Sequence, residues 1–185
     1  ESEKYHLIAA DIFLANVGPQ SLDFARVLNN LTLLYTKTRE LEKAKNYGIK
    51  AIEAFKASVG DDHPQTSFAN YNLGDAYFTD RNISEAEKYH TAALEIRQKS
   101  LGENHPVYAK STNKMAILQW KKNKLDDALK LYQKTFDNYF QQINLVFPIL
   151  SEEEKTKFYY NNLKPTFEQY NSFIVKSSLE NKDLI

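Results

Sequence analysis

Histidine, aspartate and glutamate are the side chains to examine for chemistry in this chain, because it contains no cysteine. That absence excludes thiolate catalysis, disulfides and Cys-based zinc sites. The four histidines are His6, His63, His90 and His105. A helical metal site needs ligands three or four residues apart on one face, and no two of these meet that spacing. His63 and His105 each precede a proline in the matching phrases GDDHP (Gly60–Pro64) and GENHP (Gly102–Pro106), which assigns them a turn or packing role. Asp61-Asp62 and Asp126-Asp127 are adjacent acids. General acid–base work needs one carboxyl desolvated against the other, and solvated turns or early helix positions do not provide that. No Gly-rich phosphate loop and no nucleophile elbow occurs. Asn30-Leu31-Thr32 and Asn82-Ile83-Ser84 match the glycosylation acceptor pattern, which a cytosolic chain would leave unused. The expectation is a chain that is not an enzyme and uses no cofactor or metal.

Recognition is then the remaining kind of chemistry, and composition bounds it. Apolar residues make up 42% of the 185 and charged ones 26%, enough to build a core and too apolar for disorder. Lys+Arg balance Asp+Glu at 24 each, so no global field selects nucleic acid or anionic lipid. No apolar run reaches membrane-spanning length and no signal-peptide pattern opens the chain. Freedom from cysteine suits a reducing compartment, and a cytoplasmic location is expected.

The elements that must position any recognition surface follow from an internal repeat. ESEKYH at Glu1–His6 returns as EAEKYH at Glu85–His90, with KAKNYG at Lys43–Gly48 halfway between, an interval of 42 taken twice. Val17–Ser58, Val59–Ser100 and Leu101–Gln142 align without a gap. Gly18, Gly60 and Gly102 share one column; Leu31, Leu73 and Met115 another; Ala44, Ala86 and Ala128 a third. A fixed period near 40 marks stacked supersecondary units. Glu1–Asn16 then aligns with the second helix of a unit whose first helix lies upstream.

Each unit reads as two helices. In the middle copy Gln65–Thr79 follows a proline suited to a first turn. TDRN breaks it, and Ser84 is expected to cap the second helix, whose stripe is Ala86, Tyr89, Ala93 and Ile96. Small residues at Gly74, Ala86 and Ala93 allow two backbones to approach closely.

The stretch YNLGDAYFTDRNISEAEKYHTAALEI resembles a tetratricopeptide repeat, with Leu73-Gly74, Tyr77, Ala86 and Ala93 at the motif positions. The length, the LG-x-x-HP phrase between units and LNNL at Leu28–Leu31 resemble the kinesin-light-chain type. HEAT and armadillo units have similar lengths but not this residue order. Departures are Thr32 and Ala116 for the glycine, Gln119 for the tyrosine and Thr135 for the last alanine. The resemblance implies an all-α, right-handed α-solenoid of antiparallel helix pairs.

After Gln142 the period fails. Ser151-Glu152-Glu153-Glu154 offers a capping box, a helix over Glu152–Leu163 should end near Lys164 ahead of Pro165, and a last helix should run to about Ser178. Its expected stripe is Phe167, Tyr170, Phe173 and Ile174. Capping of the last repeat is one role for residues 143–185. FPILSEEEKTKFYYNNLKPTFEQYNSFIVK also resembles the segment that joins such repeats to a CHAT domain, a caspase-like peptidase module of many bacterial proteins. The peptidase's Cys has no counterpart here, so an architecture is implied and not an activity.

The resemblance implies that the first helices line a concave, partner-binding face. Its columns are Arg26/Phe68/Lys110, Asn29/Tyr71/Asn113, Asn30/Asn72/Lys114 and Leu33/Asp75/Ile117. Asparagines can donate and accept to an extended backbone, Phe68 and Tyr71 can anchor, and Lys110 and Lys114 can meet a carboxylate. Trp120 and Phe78 share a column at the end of the first helix, in packing or in contact. A clamp for a C-terminal carboxylate is only partly matched, since Leu33 stands where a polar partner is needed. The expected function is a protein-interaction scaffold that binds a peptide or protein segment in its concave groove and regulates or positions a downstream effector such as a CHAT peptidase domain. An alternative is an arm that packs on its own downstream domain through Phe147, Phe158 and Phe167.

Overall fold

The computed structural model describes residues 2–180. Among them are nine α-helices and no strand: α1 (Ser2–Val17), α2 (Leu22–Thr38), α3 (Leu41–Val59), α4 (Pro64–Thr79), α5 (Ile83–Leu101), α6 (Pro106–Lys121), α7 (Leu125–Val146), α8 (Glu152–Phe158) and α9 (Lys164–Glu180). A 3₁₀ turn (Phe147–Ile149) precedes α8 and a π turn (Tyr159–Leu163) follows it. The helices fall into two compact units, one up to Leu101 and one from Gly102.

In the first unit α2 packs on α3 and α4 on α5, and α4 also touches both α2 and α3. Turns between pairs are built around Gly60, whose φ of 95° is open to glycine and strained for other residues. His63 sits at the N-cap of α4 and its Nδ1 accepts the Gln65 N–H at 3.2 Å. His105 does the same for Val107 at 3.1 Å in the second unit, so the turn role expected for both histidines is a ring-nitrogen cap. At the start of α5 the cap differs from expectation. Ser84 lies inside the first turn, and Asn82 Oδ1 accepts the Glu85 N–H, because the helix begins two residues earlier.

Aromatic pairs lock the two hairpins of the first unit. Tyr35 of α2 stacks on Tyr47 of α3 with centroids 5.4 Å apart, and Tyr77 of α4 stacks on Tyr89 of α5 at the same distance. Tyr35 also donates its hydroxyl to Glu3 of α1 at 2.7 Å. Burial, and then that carboxylate, push the Tyr35 hydroxyl above the ordinary tyrosine range.

The departure from the motif glycine is a paired exchange of volume. Thr32 of α2 faces Gly48 of α3, where a Cβ would stand 3.2 Å from Thr32 Cγ2 and 2.8 Å from Leu73 Cδ1. One repeat on, the columns swap: Gly74 of α4 faces the fully buried His90 of α5, and a Cβ on Gly74 would stand 2.8 Å from the imidazole. Close packing permits either arrangement but not two bulky residues.

In the second unit α6 packs on α7. Thr135 stands in the alanine column because its hydroxyl meets that of Thr112, buried, at 2.9 Å. The capping box at Ser151 and Glu154 is present as expected. The helix break expected near Lys164 is not. The π turn carries the chain into α9 with Lys164 in helical conformation, and Pro165 lies in the first turn of α9. Asn162 donates to the Phe158 carbonyl at 3.1 Å and Thr166 to the Asn162 carbonyl at 2.8 Å, which supplies side-chain bonds where the ladder widens.

α9 touches α6, and Asn113 donates to Gln169 at 2.7 Å, much as Asn72 of α4 donates to Asn29 of α2 at 2.8 Å. Rings hold α9 to α7: Phe136 to Phe167 at 4.7 Å, and Tyr132 to Tyr170 and Phe173 at 5.4 and 5.3 Å. The buried stripe of the tail is Leu163, Thr166, Phe173 and Ser177, with Tyr170 half-buried. Phe167 and Ile174, expected in that stripe, are 41% and 39% exposed.

Candidate partner-binding site

Arg26, Asn29, Asn30 and Leu33 recur at intervals of three and four along α2, and Phe68, Tyr71, Asn72 and Asp75 repeat the spacing on α4. Four of these eight come together. Arg26, Asn29, Asn30 and Phe68 line a concavity of about 260 Å³ with Phe55 and Gln65. Arg26 is positioned by Asp23 (Nη1 to Oδ1, 3.1 Å) and donates from Nε to Gln65 Oε1 at 3.3 Å. The Asn72 amide donates to Asn29 Oδ1 at 2.8 Å. That bond ties neighbouring repeats and leaves Asn29 with its N–H donors and Asn72 with its carbonyl oxygen. Phe68 and Leu33 are 41% and 37% exposed.

Tyr71 and Asp75 have a different setting. Tyr71 lies edge-on to His90 at 4.9 Å, and Asp75 Oδ1 stands 3.4 Å from His90 Nε2. The Arg97 guanidinium stacks 4.5 Å from the Tyr71 ring centre and 5.1 Å from that of Phe68, and its Nε donates to Ser67 at 3.2 Å. Burial pushes Arg97 down to about 10, with Tyr71 and Asp75 opposing the shift. A buried cation between two rings fixes Phe68 from behind.

In the second unit Lys110 is exposed and Lys114 half-buried. Asn113 is taken up by Gln169, and Ile117 is 9% exposed, part of the core. Gln65, His90 and Arg97 escaped the sequence reading. Arg97 had a signal, since its column holds Phe55 and Tyr139 in the other copies and an arginine in an aromatic column asks for stacking partners. Among the described residues no group of three or more His, Asp or Glu could hold a metal ion, and no helix is long and apolar enough to cross a membrane.

The tetratricopeptide repeat model matches residues 23–97 and 69–139, more than half of the chain. The chain belongs to the tetratricopeptide repeat family. Among solved structures it is similar to BtubC (BKLC) from P. vanneervenii, with TM-score 0.70 and 21% identity over 75% of this chain and 56% of that one. It is also similar to a Podosopora anserina putative kinesin light chain with nearly identical TPR-like repeats, at TM-score 0.64 and 15% identity over 94% and 86% of the two chains. A second crystal structure of that protein, of a single-residue variant, gives 0.58 and 16% over 90% and 78%. No curated protein matches the chain. The tetratricopeptide chain thus spans 56% of the length of BtubC. These likenesses show the fold, the helix-pair stacking of tetratricopeptide α-solenoids. Family and fold support a protein-interaction scaffold in general and are typical of non-catalytic proteins.

Proposed function

We propose that this tetratricopeptide repeat protein binds an extended peptide segment along the exposed face of α2 and α4. The Asn29–Asn72 pair carries the reading. An extended peptide presents unpaired N–H and C=O groups, and this pair offers both complements at the rim of a concavity floored by Phe55 and flanked by Phe68. Arg26 supplies a charge for an acidic group on the ligand. Asn30, Leu33, Tyr71 and Asp75 support it by contact or packing within the same unit. In the longer architecture implied by the tail, the scaffold positions an effector such as a CHAT peptidase domain, in a reducing cytoplasm that a cysteine-free chain suits.

The alternative of an arm on the chain's own downstream domain draws less support. Phe147 and Phe158 pack on each other at 5.2 Å and Phe158 on Tyr139 at 5.8 Å, which leaves only Phe167 of the three outward. The test is peptide display against the 185-residue chain, followed by affinities of the enriched peptides for N29A/N72A. Loss of two backbone-directed bonds at about 1 kcal/mol each should weaken them roughly tenfold or more. Equal affinity for the double variant rejects the α2/α4 face.

A further inference from the structure

The turn joining α6 and α7 departs from its two counterparts in charge and in packing, but not in backbone. Arg39, Arg81 and Asn123 occupy one column and all have positive φ, at 63°, 63° and 59°. The next residue's N–H returns to the same carbonyl in each: Glu40 to Tyr35, Asn82 to Tyr77 and Lys124 to Gln119, at 2.9, 3.0 and 2.9 Å. The turn therefore forms without any particular charge. In the first two copies it carries acids, Glu40 paired with Lys43 at 2.7 Å and Asp80 with Lys45 at 3.0 Å. In the third, Lys124 stands in the Glu40 column and Lys122 in that of Asp80. WKKNK (120–124) carries a formal charge of +3, against +1 for TKTRE (36–40) and 0 for FTDRN (78–82).

The packing change falls at the same place. The stacked pairs Tyr35–Tyr47 and Tyr77–Tyr89 are replaced in the third copy by Gln119 and Leu131. Two aromatic rings are missing from those columns, and a concavity of about 350 Å³ opens there, lined by Gln119, Leu131, Lys124, Lys130 and Asp127. Beside it, Trp120 is gripped edge-on by Phe173 at 5.6 Å, and the ammonium groups of Lys121 and Lys176 stand 5.4 and 5.7 Å from its ring centre. Among the described residues Lys121, Lys124 and Lys176 have no ion pair. Cations gathered about one half-buried ring repel one another unless an anion joins them.

We propose that this turn is a second docking surface, separate from the α2/α4 face, and that it takes an acidic peptide segment. Carboxylates meet Lys121, Lys124 and Lys176, and an apolar side chain enters the concavity over Leu131. Charge complementarity selects the class of partner. A nucleic-acid strand would need a longer cationic track, whereas Asp126 and Asp127 interrupt this one and the chain as a whole is neutral.

Trp120 is the only tryptophan, so its emission reports on the site directly. The probe is a short oligoglutamate peptide containing one leucine, titrated into the 185-residue chain, with an oligolysine peptide, a single-stranded oligonucleotide and phosphatidylserine vesicles as comparisons. A saturable change with oligoglutamate is expected, weakened by added salt and lost tenfold or more in K121Q/K176Q. Two further variants use residues the other turns already tolerate. K122D/K124E restores the acids and Q119Y/L131Y restores the ring pair; each should lose binding while keeping the helical circular dichroism of the parent. K37Q, in the Lys121 column of the first copy, should bind as the parent does. Absence of a saturable change, unaltered affinity in K121Q/K176Q and Q119Y/L131Y, or tighter binding of the oligonucleotide or vesicles overturns the proposal.

Discussion

Replacing Gly74 by alanine tests the volume exchange between the two helices of a repeat. On helix propensity alone the change should stabilise α4 by about 1 kcal/mol. The packing opposes it. A Cβ at this position stands 2.8 Å from Cδ2 and Nε2 and 2.9 Å from Cε1 of His90. Carbon atoms rest about 3.5–4.0 Å apart, so the contact is short by roughly 0.7 Å or more. His90 has little room to retreat, being fully buried, edge-on to Tyr71 at 4.9 Å and 3.4 Å from Asp75. Overpacking of a tight core costs about 1–3 kcal/mol, and the upper part of that range applies to a trapped ring. The expected net loss is about 1–2 kcal/mol, read as a lower urea midpoint at unchanged slope. G74T should lose more, and H90G should lose stability by leaving a cavity. Together they rebuild the Thr32–Gly48 arrangement, so G74T/H90G should exceed the sum of its parts by about 1–3 kcal/mol. A midpoint for G74A at or above the parent's, or simple additivity in the double variant, refutes the exchange.

Ser151→Ala removes an N-cap with both halves of its box formed and should cost the tail about 1 kcal/mol, read as faster amide exchange in α8 with the first unit unchanged. The Glu154 carboxyl is held below its usual range by the Ser151 backbone and hydroxyl, so this local contribution is present above the free glutamate value and lost as pH falls through the lowered one. Alkaline titration followed by tyrosinate absorbance should show Tyr132 resisting ionisation, since burial pushes its hydroxyl up. A raised folded value means stability that is whole below the free tyrosine range near 10 and declines above it, so late-ionising tyrosines should appear together with loss of helical signal.

Much of this architecture was legible because the repeat multiplies each weak cue. A single Gly18 or Ala44 says little; Gly60 and Gly102, or Ala86 and Ala128, in the same columns fix the helix pairs. What escaped was compensation between columns. Thr32 looks like a lapse from the motif until Gly48 is seen opposite it, and Thr135 until its hydroxyl meets Thr112. The capping of α5 by Asn82 and the unbroken run through Pro165 depend on which side-chain oxygen reaches a backbone group first, a matter of local geometry that residue type leaves open. The candidate face was legible as columns, whereas its division into an asparagine rim and a buried His90–Arg97 backing depends on Arg97 lying over two rings.

The bond from Asn113 to Gln169 links residues 56 apart in sequence, where its counterpart from Asn72 to Asn29 spans 43. The stack thus takes one more step in space after it has stopped keeping time along the chain. The extra residues are themselves packed, with Phe158 edge-on to Tyr139 and Leu163 buried beside Ala109, so the longer connection is part of the core and not a loose loop. Counting repeats by their spacing in sequence therefore stops one helix short of where the packing does.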